Sequence, residues 1–207
     1  MKYARHAAIL ALGVALGVGS LFIPESVTAN TSLMSPAGIE DQFLGESAAP
    51  ATLIVYSSPT CSYCIDFEKN VLPQLQEKYV ETGKLRVSVR PFIRNAVDAV
   101  VFQVANKTGS EKYRQTTEAF TNGFDRLAEA DDVEAVLREI AASQGVEGDA
   151  FDQAVADDDY FSKLNAMREQ AIEKFGVKGT PTFFLNGESF EFDGSLASIE
   201  AALEKVG

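Results

Sequence analysis

Cys61 and Cys64, with Ser62 and Tyr63 between them, are the only two cysteines in the 207-residue chain. The spacing lets either sulfur reach the other and close a small ring. Ahead of the pair, Thr52–Tyr56 is apolar or β-branched throughout and leads into the turn Ser57-Ser58-Pro59-Thr60. Behind it, Phe67, Val71, Leu72, Leu75 and Tyr79 recur at helical spacing. The thiols therefore fall where a strand ends and a helix begins. Thiolates, not thiols, attack disulfides, and a helix N-terminus favours the thiolate through its free N–H groups and positive dipole end. The chemistry available to this pair is disulfide exchange.

Other uses of two cysteines fit less well. A structural zinc site takes about four N/S ligands, and the single histidine, His6, lies near the N-terminus. C-type haem attachment needs a histidine directly after the second cysteine, where Ile65 stands. An inert structural bridge is a competing reading, but so short a loop gains little from closure. A metal shared between two chains is another. Copper handling would have Met34 and Met167 as soft helpers once the N-terminal stretch is set aside. Neither a cofactor nor a metal is expected.

The elements around the pair can be placed from pattern alone. Lys2 and Arg5 precede an apolar run from Ala7 to Ile23, and Val27-Thr28-Ala29 offers small residues before a cut. Residues 1–29 read as an export signal, with an uncleaved anchor over residues 7–23 as the alternative. Removing the leader takes away two basic residues and one acidic residue, so the net charge of −12 becomes −13. Such a chain suits neither nucleic acid nor anionic lipid. Residues 30–43 read as a short arm with few apolar anchors. Leu85–Arg90 alternates as a half-buried strand should, and Pro73 is expected to kink the helix before it.

From residue 95 to residue 176 the pattern is helical. Val97, Val100, Val101 and Val104 form one face, and Val133, Val136, Leu137 and Ile140 another. A third runs through Phe161, Leu164, Met167 (or Arg168), Ala171 and Phe175. Phe120, Phe124, Phe151 and Phe161 are expected in the core of this block. Glu129-Ala130-Asp131-Asp132 and Asp157-Asp158-Asp159 fit helix N-termini, and Gly176 fits the end of the last helix. Thr182–Leu185 is again a strand, Asn186-Gly187 a tight hairpin turn, and Leu196, Ile199, Leu203 and Val206 a closing helix.

Leu44-Gly45, Ala49-Pro50, Cys61-Ser62-Tyr63-Cys64 and Gly179-Thr180-Pro181-Thr182-Phe183-Phe184-Leu185-Asn186-Gly187 resemble the DsbA family of exported thiol-disulfide oxidoreductases. The resemblance implies an α/β, thioredoxin-like fold with an inserted helical domain. Residues 44–94 would form its first part, 95–176 the insertion, and 177–207 the second part. By the same resemblance Cys61 would be the exposed nucleophile and Cys64 the buried resolving thiol, with Ser62 and Tyr63 as neighbours. Thr180-Pro181 would be a cis pair facing the sulfurs and would hold a substrate strand. Partners would be unfolded or partly folded exported proteins and a membrane redox protein. The chain is expected to be monomeric and periplasmic.

Two positions depart from strongly oxidising members. Tyr63 stands where they usually carry a histidine before the second cysteine. Val55 stands where many relatives place a buried glutamate thought to relay a proton to the resolving thiol. A dithiol less oxidising than those members is therefore expected, with proton transfer by water or another route. Lys178 could replace part of the missing charge, though a solvated surface position is the plainer reading. Arg90 and Arg94 could line a substrate groove or simply be exposed. Rival functions are a disulfide isomerase or reductase kept reduced by a membrane partner, and a peptide-binding chaperone module that does not use its thiols.

Overall fold

The computed structural model describes residues 32–206, so the stretch read as a leader lies outside them. Its frame is a five-stranded sheet of β1 (Phe43–Leu44), β2 (Ala51–Ser57), β3 (Leu85–Pro91), β4 (Thr182–Leu185) and β5 (Glu188–Phe190). The spatial order is β1-β3-β2-β4-β5, which puts β2 in the middle. It runs parallel to β3, with Val55 opposite Val89, and antiparallel to β4, with Val55 opposite Phe183. All seven residues of β2 are buried, as an unbroken apolar run predicts for a strand covered on both faces.

The period-two alternation of β2 feeds two cores. Leu53 and Val55 pack with Phe67, Leu75, Phe183 and Ile199 on one face. Ile54 and Tyr56 pack with Leu33, Met167, Ala171 and Phe184 on the other. The 186–187 turn has φ of 49° at Asn186 and 91° at Gly187, the left-handed pair that a two-residue hairpin requires. β5 ends at Phe190, and Phe192 beyond it still packs on Phe183 at 4.3 Å between ring centroids.

After Cys61 the chain forms α1 (Ser62–Asp66), a π turn (Phe67–Val71), α2 (Leu72–Leu75) and a second π turn (Gln76–Val80). The kink expected at Pro73 is replaced by this alternation. The proline falls in the first turn of α2, where a missing N–H costs least. Six helices then separate β3 from β4: α3 (Ala96–Lys107), α4 (Ser110–Asn122), α5 (Phe124–Glu129), α6 (Val133–Ser143), α7 (Asp149–Val155) and α8 (Asp158–Phe175). α9 (Leu196–Val206) closes the chain.

The acidic runs cap helices as expected. Asp132 accepts from Ala135 N at 3.0 Å and Asp157 from Tyr160 N at 2.9 Å. Gly176 ends α8 with φ of 67°. Val101, Val104, Phe120, Leu137, Ile140 and Phe151 share the helical core. Phe124 is only half-buried and Phe161 is 40% exposed, contrary to expectation. The buried stripe of α8 is Tyr160, Leu164, Met167 and Ala171, and Phe161, one residue from Tyr160, is turned about 100° away.

Arg90 is another correction. It is buried, not exposed. Its guanidinium gives Nε and Nη2 to Asp41 at 2.7 and 2.6 Å, Nη1 to Tyr56 OH at 2.8 Å and Nη2 to Leu33 O at 2.6 Å. The side chains of Arg90 and Asp41 are 1% and 6% exposed. The arm is therefore anchored, by buried Leu33 and by this ion pair.

Candidate active site

β2 delivers the chain to its own C-terminal edge, and the turn 58–60 lifts it to the start of α1. Cys61 occupies the N-cap position with extended backbone, φ −102° and ψ 116°. Ser62 and Tyr63 point outward, Tyr63 being 75% exposed. Cys64 is wholly buried, and Cys61 is only 6% exposed, less open than the resemblance implies. Across from them the Thr180–Pro181 peptide is cis, and the Cys61 thiol donates to Thr180 O at 3.3 Å. Thr180 Oγ1 is buried with no hydrogen-bond partner of ordinary geometry among the described residues. Placed beside both sulfurs, it favours the thiolate at each. Sequence and structure thus bring Cys61, Cys64, Thr180 and Pro181 to one place.

The two thiols differ sharply. Cys61 falls from an ordinary 9.0 to about 5, chiefly because the Cys64 thiol donates to its sulfur. Burial opposes the fall, while the Thr180 hydroxyl, the Cys64 backbone N–H and the Arg94 charge assist it. A helix terminus alone contributes about 0.3–1 kcal/mol, less than one pKa unit at about 1.36 kcal/mol. Hydrogen bonds must therefore do most of the work. Cys64 is pushed far up, first by burial and then by its bond to Cys61. One sulfur therefore favours the thiolate, and the other holds its proton.

Lys178 is exposed and belongs instead to a groove beside the site. About 940 Å³ in volume, the groove is lined by Tyr63, Phe175, Lys178, Pro181 and Phe192 among others. The nearby cation is Arg94, exposed at the entrance to the helical block. Sequence reasoning missed Asp98. Fully buried at the start of α3, it accepts from Ser58 Oγ at 2.9 Å and from Arg94 N at 2.8 Å. It also accepts from Thr60 Oγ1 and Thr60 N at 2.7 and 3.2 Å. The only hint in the sequence was its place three residues after a capping asparagine, Asn95, which accepts from Asp98 N at 3.0 Å.

Glu68 was missed as well. It takes the Ser57 hydroxyl hydrogen bond at 2.5 Å and lines a second cavity of about 300 Å³ between the sheet and α4. Its surface is only partly covered, yet desolvation raises it to about 7, against the lowering bond from Ser57. Among the described residues no cluster of three or more His, Cys, Asp or Glu side chains could hold a metal ion.

A mixed sheet with a CxxC pair at the end of its central strand, a cis-proline opposite and helices between β3 and β4 defines a thioredoxin-like protein of the DsbA type. The chain belongs to the thioredoxin family, whose model matches residues 38–205. Wolbachia pipientis alpha-DsbA1 is similar in structure, with a TM-score of 0.75 and 27% identity, covering 86% of this chain and 95% of that one. A protein-disulfide isomerase of Novosphingobium aromaticivorans shares the fold at 23% identity and a TM-score of 0.71, covering 83% of this chain and 99% of that one. In sequence the chain is 26% identical over 168 residues to a Rickettsia typhi protein provisionally named a protein-disulfide oxidoreductase. That match covers 79% of this chain and 62% of the relative, so the chain spans less than two thirds of that protein's length.

Proposed function

We propose that the chain is an exported thiol-disulfide oxidoreductase that forms or exchanges disulfides in other exported proteins through Cys61 and Cys64. The observation that carries this reading is the asymmetric dithiol: a sulfur titrating at about 5 beside a cis-proline, with a buried partner sulfur held as thiol. In the oxidising direction a substrate thiolate attacks Cys61 Sγ and the Cys61–Cys64 bond breaks. A second substrate thiolate then releases the mixed disulfide, leaving the substrate oxidised and the protein a dithiol. In the reducing direction the Cys61 thiolate attacks a substrate disulfide and Cys64 resolves it. A substrate segment would lie along Thr180–Pro181 and in the adjoining groove, and a membrane redox protein would reset the pair.

Periplasmic location rests on the leader-like sequence of residues 1–29. No helix among the described residues is long and apolar enough to cross a membrane. The test is oxidation of a reduced two-cysteine peptide by the oxidised protein, with Cys61→Ser as control. Peptide oxidation that the substitution abolishes supports the reading; peptide binding with no thiol exchange would support the chaperone reading instead.

A further inference from the structure

The cavity between the sheet and α4, about 300 Å³ in volume, joins an apolar wall to a carboxylate without a counter-ion. Leu44, Leu72, Val89, Phe102 and Met167 supply the wall, and Glu68 lies beside it. Ser57 Oγ donates to Glu68 Oε1 at 2.5 Å, and Oε2 takes no hydrogen bond among the described residues. Neither arginine lining the cavity pairs with Glu68. Arg90 is bound to Asp41, and Arg114 to Glu118 at 2.8 Å. A carboxylate in such a place is costly, and a charge-assisted hydrogen bond from a cationic N–H offsets that cost. A metal ion fits poorly. Calcium takes about six to eight oxygens, and no cluster of three or more His, Cys, Asp or Glu among the described residues could hold one. An anion would meet Glu68 inside and exposed Glu40 and Glu111 along the same lining. A water occupies roughly 30 Å³, so a body of about ten non-hydrogen atoms has room here. Beyond disulfide exchange, we propose that this cavity binds a small organic amine as its ammonium ion, with Glu68 as counter-ion and the hydrocarbon body against Leu72, Phe102 and Met167. Neither sulfur takes part.

The form of Glu68 that holds an ammonium is the carboxylate, so binding should strengthen with pH. Desolvation raises Glu68 to about 7, against the lowering bond from Ser57 of β2. From α4, Glu118 raises it and Arg114 lowers it, while Cys61 raises it from the dithiol side. Tyr113 of α4 feels its charge and is itself held well above 10.0, so it stays neutral. Glu40, Glu111 and the Asp41–Arg90 pair complete the charged lining. An alkylammonium, like a lysine at about 10.4, keeps its proton across this range. The pH dependence therefore belongs to Glu68.

The experiment is calorimetric titration of the protein with 2-phenylethylammonium chloride at pH 6 and pH 8. With Glu68 titrating at about 7, its ionised fraction, and with it the affinity, should be about tenfold greater at pH 8. The neutral 2-phenylethanol, of nearly the same shape, should bind about tenfold or more weakly than the amine at pH 8. Glu68→Gln should weaken amine binding by a similar factor and remove its pH dependence. Thr117→Phe, which sets a ring into the cavity from α4 and leaves Glu68 in place, should abolish binding. If Glu68→Gln misfolds, Thr117→Phe and the alcohol decide. Absence of amine binding at pH 8 would overturn the proposal, as would equal affinity for the alcohol. So would an affinity that ignores pH, or undiminished binding in either variant.

Discussion

Thr60 gives both its hydroxyl, at 2.7 Å, and its backbone N–H, at 3.2 Å, to the same oxygen of Asp98. A residue of the first inserted helix thereby holds the turn from which Cys61 projects. The other carboxylate oxygen holds Ser58 Oγ and Arg94 N, so one side chain fixes the approach to Cys61 and the base of the nearby cation. Asp98→Ala leaves these donors without their acceptor. It should cost about 2–4 kcal/mol of stability, given about 1–3 kcal/mol for each buried group left unsatisfied and partial recovery by water. It should also raise the pH at which Cys61 becomes reactive. Urea unfolding and an iodoacetamide profile against pH measure both, and Asp98→Asn should fall between the two proteins.

The causes of Cys61 acidity can be ranked by substitution. The Cys64 thiol is the largest and the Arg94 charge the smallest of those that lower it. Cys64→Ala should therefore raise the alkylation inflection from about 5 by more than Arg94→Ala does. The reverse order would mean that charge, not hydrogen bonding, sets the thiolate.

Much of the scaffold could be read before any coordinates because its signals are local. The unbroken run at 52–56 demanded a strand covered on both faces, Asn186-Gly187 demanded a hairpin, and Asp132 and Asp157 stood where free helix N–H groups need an acceptor. What stayed hidden depends on partners distant in sequence. Arg90 looks like a surface cation until Asp41 and Tyr56 meet it in space. Glu68, within a charged helix surface, looks solvated until Ser57 of β2 and the wall of α4 enclose it. Phe161 and Tyr160 are neighbours with similar side chains, and periodicity alone does not say which faces in.

Acidity at Cys61 also links redox state to stability. Its folded pKa is depressed from 9.0 to about 5, so between those values the unfolded reduced chain binds more protons than the folded one. Stability of the reduced protein should then rise with pH across this window and lose the contribution as pH falls through 5. Glu68 acts with the opposite sign. Raised from 4.5 to about 7, it contributes most below 4.5, and that contribution declines as pH climbs to 7. Because Glu68 is present in both redox forms, subtracting the oxidised from the reduced unfolding curve should isolate the thiolate. The reduced form should gain on the oxidised form between pH 4.5 and 7.5, and a constant difference would contradict the depressed Cys61.

The buried pair Arg90–Asp41 should behave as a unit. Asp41→Ala strands a guanidinium that is 1% exposed, a loss of about 3–5 kcal/mol. It should also free the arm that Leu33 and Asp41 anchor, seen as faster hydrogen exchange near residues 33–41. A double replacement of Arg90 and Asp41 by apolar residues of similar volume should cost less than Asp41→Ala alone, because no buried charge is left unpaired.

The direction of the exchange proposed above depends on the reduction potential of the Cys61–Cys64 pair. A more acidic nucleophile stabilises the reduced form and makes the disulfide a stronger oxidant. The histidine that strongly oxidising relatives place before the second cysteine is absent, and Tyr63 is 75% exposed with no charge to offer. The Cys64 thiol and the adjacent Thr180 hydroxyl nonetheless bring Cys61 to about 5. That value falls between the roughly 3.5 of DsbA and 7 of thioredoxin. The potential should accordingly fall between about −120 mV for the one and −270 mV for the other. Equilibration with glutathione buffers measures it. A value at the oxidising end would mean that Thr180 and Cys64 fully replace the missing imidazolium. A value at the reducing end would make the protein a reductant and assign disulfide formation to another partner.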